Sequence, residues 1–580
     1  MNNAISRVRK SQNLLLLTGL FLFALFFRII FLDRIPNAIG GDELVYVLTA
    51  KAIALTGSDL TGSWNPLSAF MFHYPPGESQ AELPYFLFLP VIGLTHFSLF
   101  TARFTNALMS ALTVIVLFGI AQKLFNRNTA IVTALVASIN PWFIYIGRTA
   151  YEVVPATFFY LLGLLILLTQ TKKRLLWAIP ILFAAFYSYI GTKVLFLPFV
   201  LVTAFYSWFI IHKKKNAGFF LVIIAAAILL VGAYMVALRD GTAARAGNLF
   251  LPDNVKVSTE VDAVRKESIQ TPFLPLFDNK YTVYTRLLIK KMFDTISANY
   301  LFAAGDRFFS MYTQGPFYSI DALFLLVGLG SLLFFTPHVF TLVSTLMVVS
   351  IAPQLIFDST SLFTPHIALL FPLIILCISA GIMRVIDMVP KKWTRPMSVL
   401  FIGIYALLCG CFLYIYTFQH SLQGHFDFSV RVLSRYIELA NPSSQDISVY
   451  TKQPFDLYKK YLFYANGLSD STALEVGKAF HTKDFTLGTV HFLTCDEFVD
   501  PEADNSRIII SDNTCNPLQK KLPSISVKQL KDAGDTFLVY NNHICDELTL
   551  KYYPSGITLD DFRIEQMETK RFCSTFLFRK

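Results

Sequence analysis

Apolar runs of about twenty residues recur along this chain, and a water-soluble fold has no place to put them. A helix needs roughly 20 mostly apolar residues to cross the hydrocarbon core of a bilayer. By that measure about eleven stretches qualify: roughly 13–32, 101–124, 128–147, 152–171, 175–190, 194–212, 217–238, 317–336, 338–357, 365–387 and 397–418. Lipid offers no partner to backbone N–H and C=O groups, so each run is expected as a helix. Composition agrees: 54% of the residues are hydrophobic and only 15% are charged. That balance marks a polytopic α-helical membrane protein. The run 83–100 is also apolar, but Pro84 and Pro90 interrupt it. A re-entrant or surface segment is expected there.

The formal charge of +10 gathers in short clusters beside the apolar runs. These are Arg7, Arg9 and Lys10; Lys123 and Arg127; Lys172, Lys173 and Arg174; Lys213, Lys214 and Lys215; and Arg384, Lys391, Lys392 and Arg395. With eleven spans, every cluster falls on one side, as the positive-inside rule requires. Topology therefore accounts for the basicity, and nucleic acid is not implied. The N-terminus is expected in the cytoplasm, on an uncleaved first helix. A transmembrane domain, 1–418, then carries the outer loops 33–100 and 239–316, and 419–580 forms a soluble extracytoplasmic α/β domain. In that region helix-like stretches (Phe428–Ala440, Phe455–Ala465) alternate with strand-like ones (Ile447–Tyr450, Thr489–Leu493, Arg507–Ile510, Phe537–Tyr540). Cys495, Cys515, Cys545 and Cys573 all lie there, allowing three disulfide connectivities and favouring an oxidising compartment. Cys377, Cys409 and Cys411 lie in apolar runs.

Ionisable residues are scarce at mid-depth in the spans and collect at their outer ends. A coupled transporter would keep such groups near the midplane. This distribution suits a reaction between a lipid-borne donor and an acceptor beyond the membrane. Gly40-Gly41-Asp42-Glu43-Leu44 follows the first span directly. Adjacent carboxylates so close to lipid must face water or a polar site. Four further clusters stand at the same face. They are His73-Tyr74-Pro75-Pro76-Gly77-Glu78 with Glu82 beyond; Gly147-Arg148-Thr149-Ala150-Tyr151-Glu152, after Asn140-Pro141-Trp142; Tyr187 through Lys193; and Thr364-Pro365-His366.

Inverting glycosyl transfer needs a carboxylate to take the acceptor proton and positive charge on the departing phosphate. Asp42 is the base candidate. Glu43 and Glu152 would orient it, and Asp42 with Glu152 would hold a divalent metal ion if one is used. Arg148, Lys193 and His366 would hold the donor phosphate, and His73, Tyr74 and Glu78 are loop candidates. Plainer readings stand beside these: Arg148 and Lys193 snorkelling to headgroups, Glu152 pairing with Arg148, His366 starting a helix. No zinc-type spacing, P-loop or dinucleotide fingerprint is present.

The Gly-Asp-Glu after the first span, the Tyr-Pro-Pro loop and Thr-Ala-Arg-Phe (101–104) at the second span together resemble the C-type (GT-C) glycosyltransferase superfamily. Within it, the protein O-mannosyltransferases and lipid A aminoarabinose transferases are similar also in Asn140–Trp142, Arg148–Glu152 and Thr364–Pro372. The resemblance covers roughly residues 10–418. It implies an inverting transfer from a polyprenyl-phosphate-linked sugar on the non-cytoplasmic face, to a protein, lipid or envelope-glycan acceptor. It implies that Asp42 is the base and that Glu152 occupies the second acidic site, where many members carry Asp. Lys193 and Arg103 fall where basic or framework residues are usual, which adds Arg103 to the donor-phosphate candidates, though Arg103 would equally anchor the second helix. An oligosaccharyltransferase or glycan ligase, or a lipid-linked glycan transporter, remains the alternative.

Overall fold

The computed structural model describes residues 2–62, 66–71, 80–169, 175–239, 254–306, 309, 311, 314–357, 362–422, 428–441, 446–498, 506–515, 525–531 and 533–579. In chain order it begins with α1 (Asn2–Ile29), α2 (Gly41–Thr56), α3 (Pro84–Ile92), α4 (Leu99–Leu124), α5 (Arg127–Ile139), α6 (Pro141–Ile146) and α7 (Val153–Leu167). Among the described residues, 7 helices are long and apolar enough to cross a membrane. Shorter apolar helices at Arg127–Ile139, Val153–Leu167, Ala178–Ser188 and Asp321–Phe335 fill the remaining expected positions. Each apolar run thus becomes helix.

The run 128–147 is a correction, because it is two helices and not one. Pro141 has no N–H to continue α5. Asn140 instead caps a new start, its Oδ1 accepting the Phe143 N–H at 3.1 Å while its Nδ2 donates to the Pro316 carbonyl at 3.0 Å. The doubtful run 83–100 holds α3, whose 9 residues rise only about 14 Å. That is under half of the ~30 Å hydrocarbon core. α2 was not foreseen as a helix, since its apolar stretch is short and opens with two acids. Its first turn holds Asp42 and Glu43, where negative charge is favourable to the helix dipole.

Small residues let helices meet backbone to backbone. A Cβ on Gly328 would run into the Cys377 carbonyl, and one on Gly381 into the Phe324 carbonyl. The helices Asp321–Phe335 and Leu370–Met388 are therefore locked at van der Waals distance.

The C-terminal region builds a 7-stranded mixed sheet of order β2-β3-β1-β4-β6-β5-β7. Its strands are β1 (Ile447–Thr451), β2 (Phe485–Leu487), β3 (Val490–Thr494), β4 (Ile508–Asp512), β5 (Ile525–Lys528), β6 (Asp535–Tyr540) and β7 (Leu577–Arg579). β1 lies parallel to both β3 and β4, and the other pairings are antiparallel. Every residue of β1 is buried, as a central strand covered on both faces must be. The four expected strands correspond to β1, β3, β4 and β6. Those missed, β2, β5 and β7, have only 3, 4 and 3 residues, too few for an alternating pattern to register. Of the three connectivities, the structure holds Cys495–Cys515 and Cys545–Cys573.

Candidate functional site

α2 carries two acids with opposite fates. Successive residues on an α-helix point about 100° apart, so adjacent side chains cannot share an environment. Asp42 is exposed, whereas Glu43 is wholly buried. Arg103 Nε lies 3.4 Å from Glu43 Oε2. Burial pushes the Glu43 carboxyl above its ordinary range, and the nearby Arg103 guanidinium does not fully offset that. Glu43 was expected beside Asp42 in the chemistry. In the structure it is buried against Arg103, on a different side of α2 from the exposed Asp42.

Glu152 stands in the turn before α7 and comes into the electrostatic field of Asp42. It takes a hydrogen bond from the Tyr46 hydroxyl. That same hydroxyl accepts the Ala81 N–H at 3.0 Å. Glu152 Oε2 is buried with no hydrogen-bond partner among the described residues. Tyr189 lies within electrostatic reach of both acids. Gly40 is needed here for space: a Cβ would fall 2.7 Å from the Tyr151 hydroxyl oxygen. Two sequence clusters, Gly40–Leu44 and Gly147–Glu152, are thus brought face to face.

The basic residues take different positions from those expected. Arg103 is fully buried and donates to the carbonyls of Pro36 (2.6 Å) and Ala38 (2.5 Å). Arg148, also buried, donates to those of Phe27 (3.1 Å) and Ile35 (2.8 Å), with its guanidinium 5.4 Å over the Tyr416 ring. Both were expected at a donor phosphate; in the structure both donate to carbonyls of the segment at and after the end of the first helix. Buried carbonyls outside regular structure need donors, and guanidinium supplies several in a fixed fork. Snorkelling is likewise excluded for Arg148 by its burial. Lys193 pairs with Glu82 at 2.5 Å, both side chains buried, under the Tyr234 ring at 4.6 Å. The backbone fixes that pairing, because the N–H groups of Glu82 and Leu83 both donate to the Tyr187 carbonyl. His366 stacks on Phe357 at 4.2 Å and on Tyr189 at 6.3 Å, which joins it to the acidic pair through one ring. His73, Tyr74 and Glu78 lie outside the described residues.

Two contributors escaped the sequence reading. Tyr46 sits one helical turn after Asp42, a signal that appears only once α2 is known to be a helix. Asp306 accepts both the N–H (3.1 Å) and the hydroxyl (2.7 Å) of Thr364, holding the His366 turn. Nothing local in its sequence announces this. Among the described residues no group of three or more His, Cys, Asp or Glu gathers. A Mg²⁺-type ion is usually held by one or two carboxylates together with phosphate and water.

Residues 83–238 match the family model described as Dolichyl-phosphate-mannose-protein mannosyltransferase. No curated protein matches the chain. Among solved structures, the chain is similar to ArnT from Cupriavidus metallidurans bound to undecaprenyl phosphate, at 12% identity and TM-score 0.48, covering 90% of this chain and 97% of that one. It is also similar to the oligosaccharyltransferase AglB from Archaeoglobus fulgidus in complex with an inhibitory peptide and a dolichol-phosphate, at 12% identity and TM-score 0.43, covering 92% and 75%. The match over residues 83–238 agrees with the resemblance read from the motifs: this integral membrane protein carries a segment similar to the dolichyl-phosphate-mannose-protein mannosyltransferases.

Proposed function

We propose that the protein transfers a sugar from a polyprenyl-phosphate donor to an acceptor hydroxyl, with inversion, on the non-cytoplasmic face. The observation that carries this reading is the exposed Asp42 within electrostatic reach of Glu152, whose buried Oε2 has no hydrogen-bond partner among the described residues. One carboxylate is open to an incoming acceptor, and the other is held where its negative charge acts locally. Asp42 accepts the acceptor proton as the hydroxyl oxygen bonds to the anomeric carbon. The bond from that carbon to the phosphate oxygen breaks, and its electron pair leaves with the polyprenyl phosphate. His366, beyond the Tyr189 ring, and Lys193, paired with Glu82, are the candidates for the donor phosphate, His366 as a neutral hydrogen-bonding imidazole. Arg103 and Arg148 act by holding the loop. A divalent ion, when bound, would be held by Asp42 and Glu152 and would stabilise the departing phosphate.

The donor is a membrane lipid, so a site at the ends of the helices admits it sideways. The paired cysteines of the sheet region and the basic clusters between helices support placing the site and that region outside the cytoplasm. Purified protein is incubated with a panel of polyprenyl-phosphate sugars, and released polyprenyl phosphate is measured. Asp42→Asn should lower turnover by roughly 10²- to 10⁴-fold, the range of a general base. Wild-type turnover in that variant overturns the assignment. Cytoplasmic labelling of a cysteine placed at Gly41 would overturn the sidedness, and product mass separates single-sugar from whole-glycan transfer.

A further inference from the structure

The segment 35–39, which leads into Asp42, is buried yet has no regular structure of its own. Its carbonyls are shared between two parts of the molecule. From the transmembrane part, Arg148 takes Ile35 and Arg103 takes Pro36 and Ala38. From the sheet region, Arg431 Nη1 donates to the Asn37 carbonyl at 2.6 Å, and the Tyr464 hydroxyl accepts the Ile39 N–H at 2.8 Å. Arg431 is 1% exposed. Its other N–H groups are anchored within the sheet region, on the Phe562 carbonyl (2.8 Å) and bidentately on Glu565 (2.7 Å each). This guanidinium is therefore a rigid strut and not a surface contact. The outer pairs Arg34–Asp560 and Arg563–Asp33 join the same two parts, but they are partly or largely solvated, and such pairs contribute little.

We propose that Arg431 and Tyr464 are positioning residues for Asp42, so that the C-terminal sheet region sets the geometry of the reacting carboxylate as well as covering the membrane part. Asp42 lies in the first turn of α2, which begins at Gly41 immediately after Gly40. The anchors at Asn37 and Ile39 therefore fix where that helix starts, and with it where its first turn presents Asp42. This inference rests on Asp42 being the base.

The test uses the full chain and the donor that supports turnover. Tyr464→Phe removes only the acceptor for the Ile39 N–H and keeps the ring. Arg431→Lys keeps the charge but cannot span Asn37, Phe562 and Glu565 together. Each should lower kcat roughly 10- to 100-fold, the scale of an ångström of misplacement, with donor KM and the thermal midpoint of Tyr464→Phe near wild type. Hydrogen exchange at residues 37–42 should quicken in both. Lys528→Met, in the β5–β6 hairpin away from this segment, serves as the control and should keep wild-type kcat. Unchanged kcat in Tyr464→Phe, or a loss matched by the control or explained by unfolding, overturns the positioning role. If Asp42→Asn keeps its turnover, the base assignment fails instead, whatever Tyr464→Phe does.

Discussion

At the scale of single residues, the energetic weight rests on charges that have left water. Lys193 and Glu82 are both buried at 2.5 Å, and removing one partner strands the other. Lys193→Met or Glu82→Gln should each destabilise by about 3–5 kcal/mol, while the double replacement Lys193→Met with Glu82→Leu should lose less than either. Thermal unfolding in detergent measures this, and a double variant worse than both singles would contradict it. Gly40 offers a second case. Gly40→Ala forces a methyl to 2.7 Å from the Tyr151 hydroxyl, an overpacking of about 1–3 kcal/mol. It should lower turnover by displacing the loop, and Tyr151→Phe in the same chain should restore part of it by removing the oxygen that collides.

At the scale of elements, two features hold the site's neighbours in place. The helices Asp321–Phe335 and Leu370–Met388 touch where Gly328 and Gly381 leave no room for a side chain. Gly381→Val must push them apart, so a large fall in the detergent melting temperature is expected. The equally apolar Gly403→Val, with nothing within 4 Å of its Cβ, should change little. The break between α5 and α6 is set by Asn140. Asn140→Ala loses both the cap on Phe143 and the bond to Pro316, together about 1–2 kcal/mol. α6 leads directly into Arg148 and Glu152, so turnover should fall with it, read in the same release assay.

At the scale of the whole molecule, the sheet region and the membrane part meet through ionised groups, so their union should be sensitive to acid. Burial alone would raise the Glu565 carboxyl, but the Arg431 guanidinium outweighs it and holds the group below its ordinary 4.5. Burial likewise opposes Asp561, where the Thr558 and Arg571 donors prevail and hold it below 3.8. A carboxyl depressed in the folded state stabilises above its unfolded value and loses that contribution as pH falls through the folded one. Anchorage of segment 37–39 through the Arg431–Glu565 pair should therefore be constant near neutrality and weaken below the ordinary 4.5. Hydrogen exchange of these amides across roughly pH 3 to 6 reads this, and loosening on the alkaline side instead would refute it. Replacing Cys545 and Cys573 by Ala removes a crosslink spanning 28 residues and should cost about 2–4 kcal/mol.

The sequence by itself determined the parts governed by local patterning. Eleven apolar runs dictate helices because lipid leaves the backbone no other partner, and alternating strands near Ile447, Val490, Ile508 and Phe537 dictate a sheet. The acids and bases at the helix ends were also legible, because charge beside an apolar run stands out in one dimension. What each charge touches was not. Asp42 and Glu43 are neighbours in the chain and strangers in the fold, since α2 turns one to water and the other to Arg103. Arg103, Arg148 and Arg431 look alike as isolated basic residues, yet tertiary packing points them all at one segment of carbonyls. Hydropathy and spacing report where a residue lies along its own element. The partner of a buried charge is fixed only when separate elements pack, and that decision belongs to the tertiary structure.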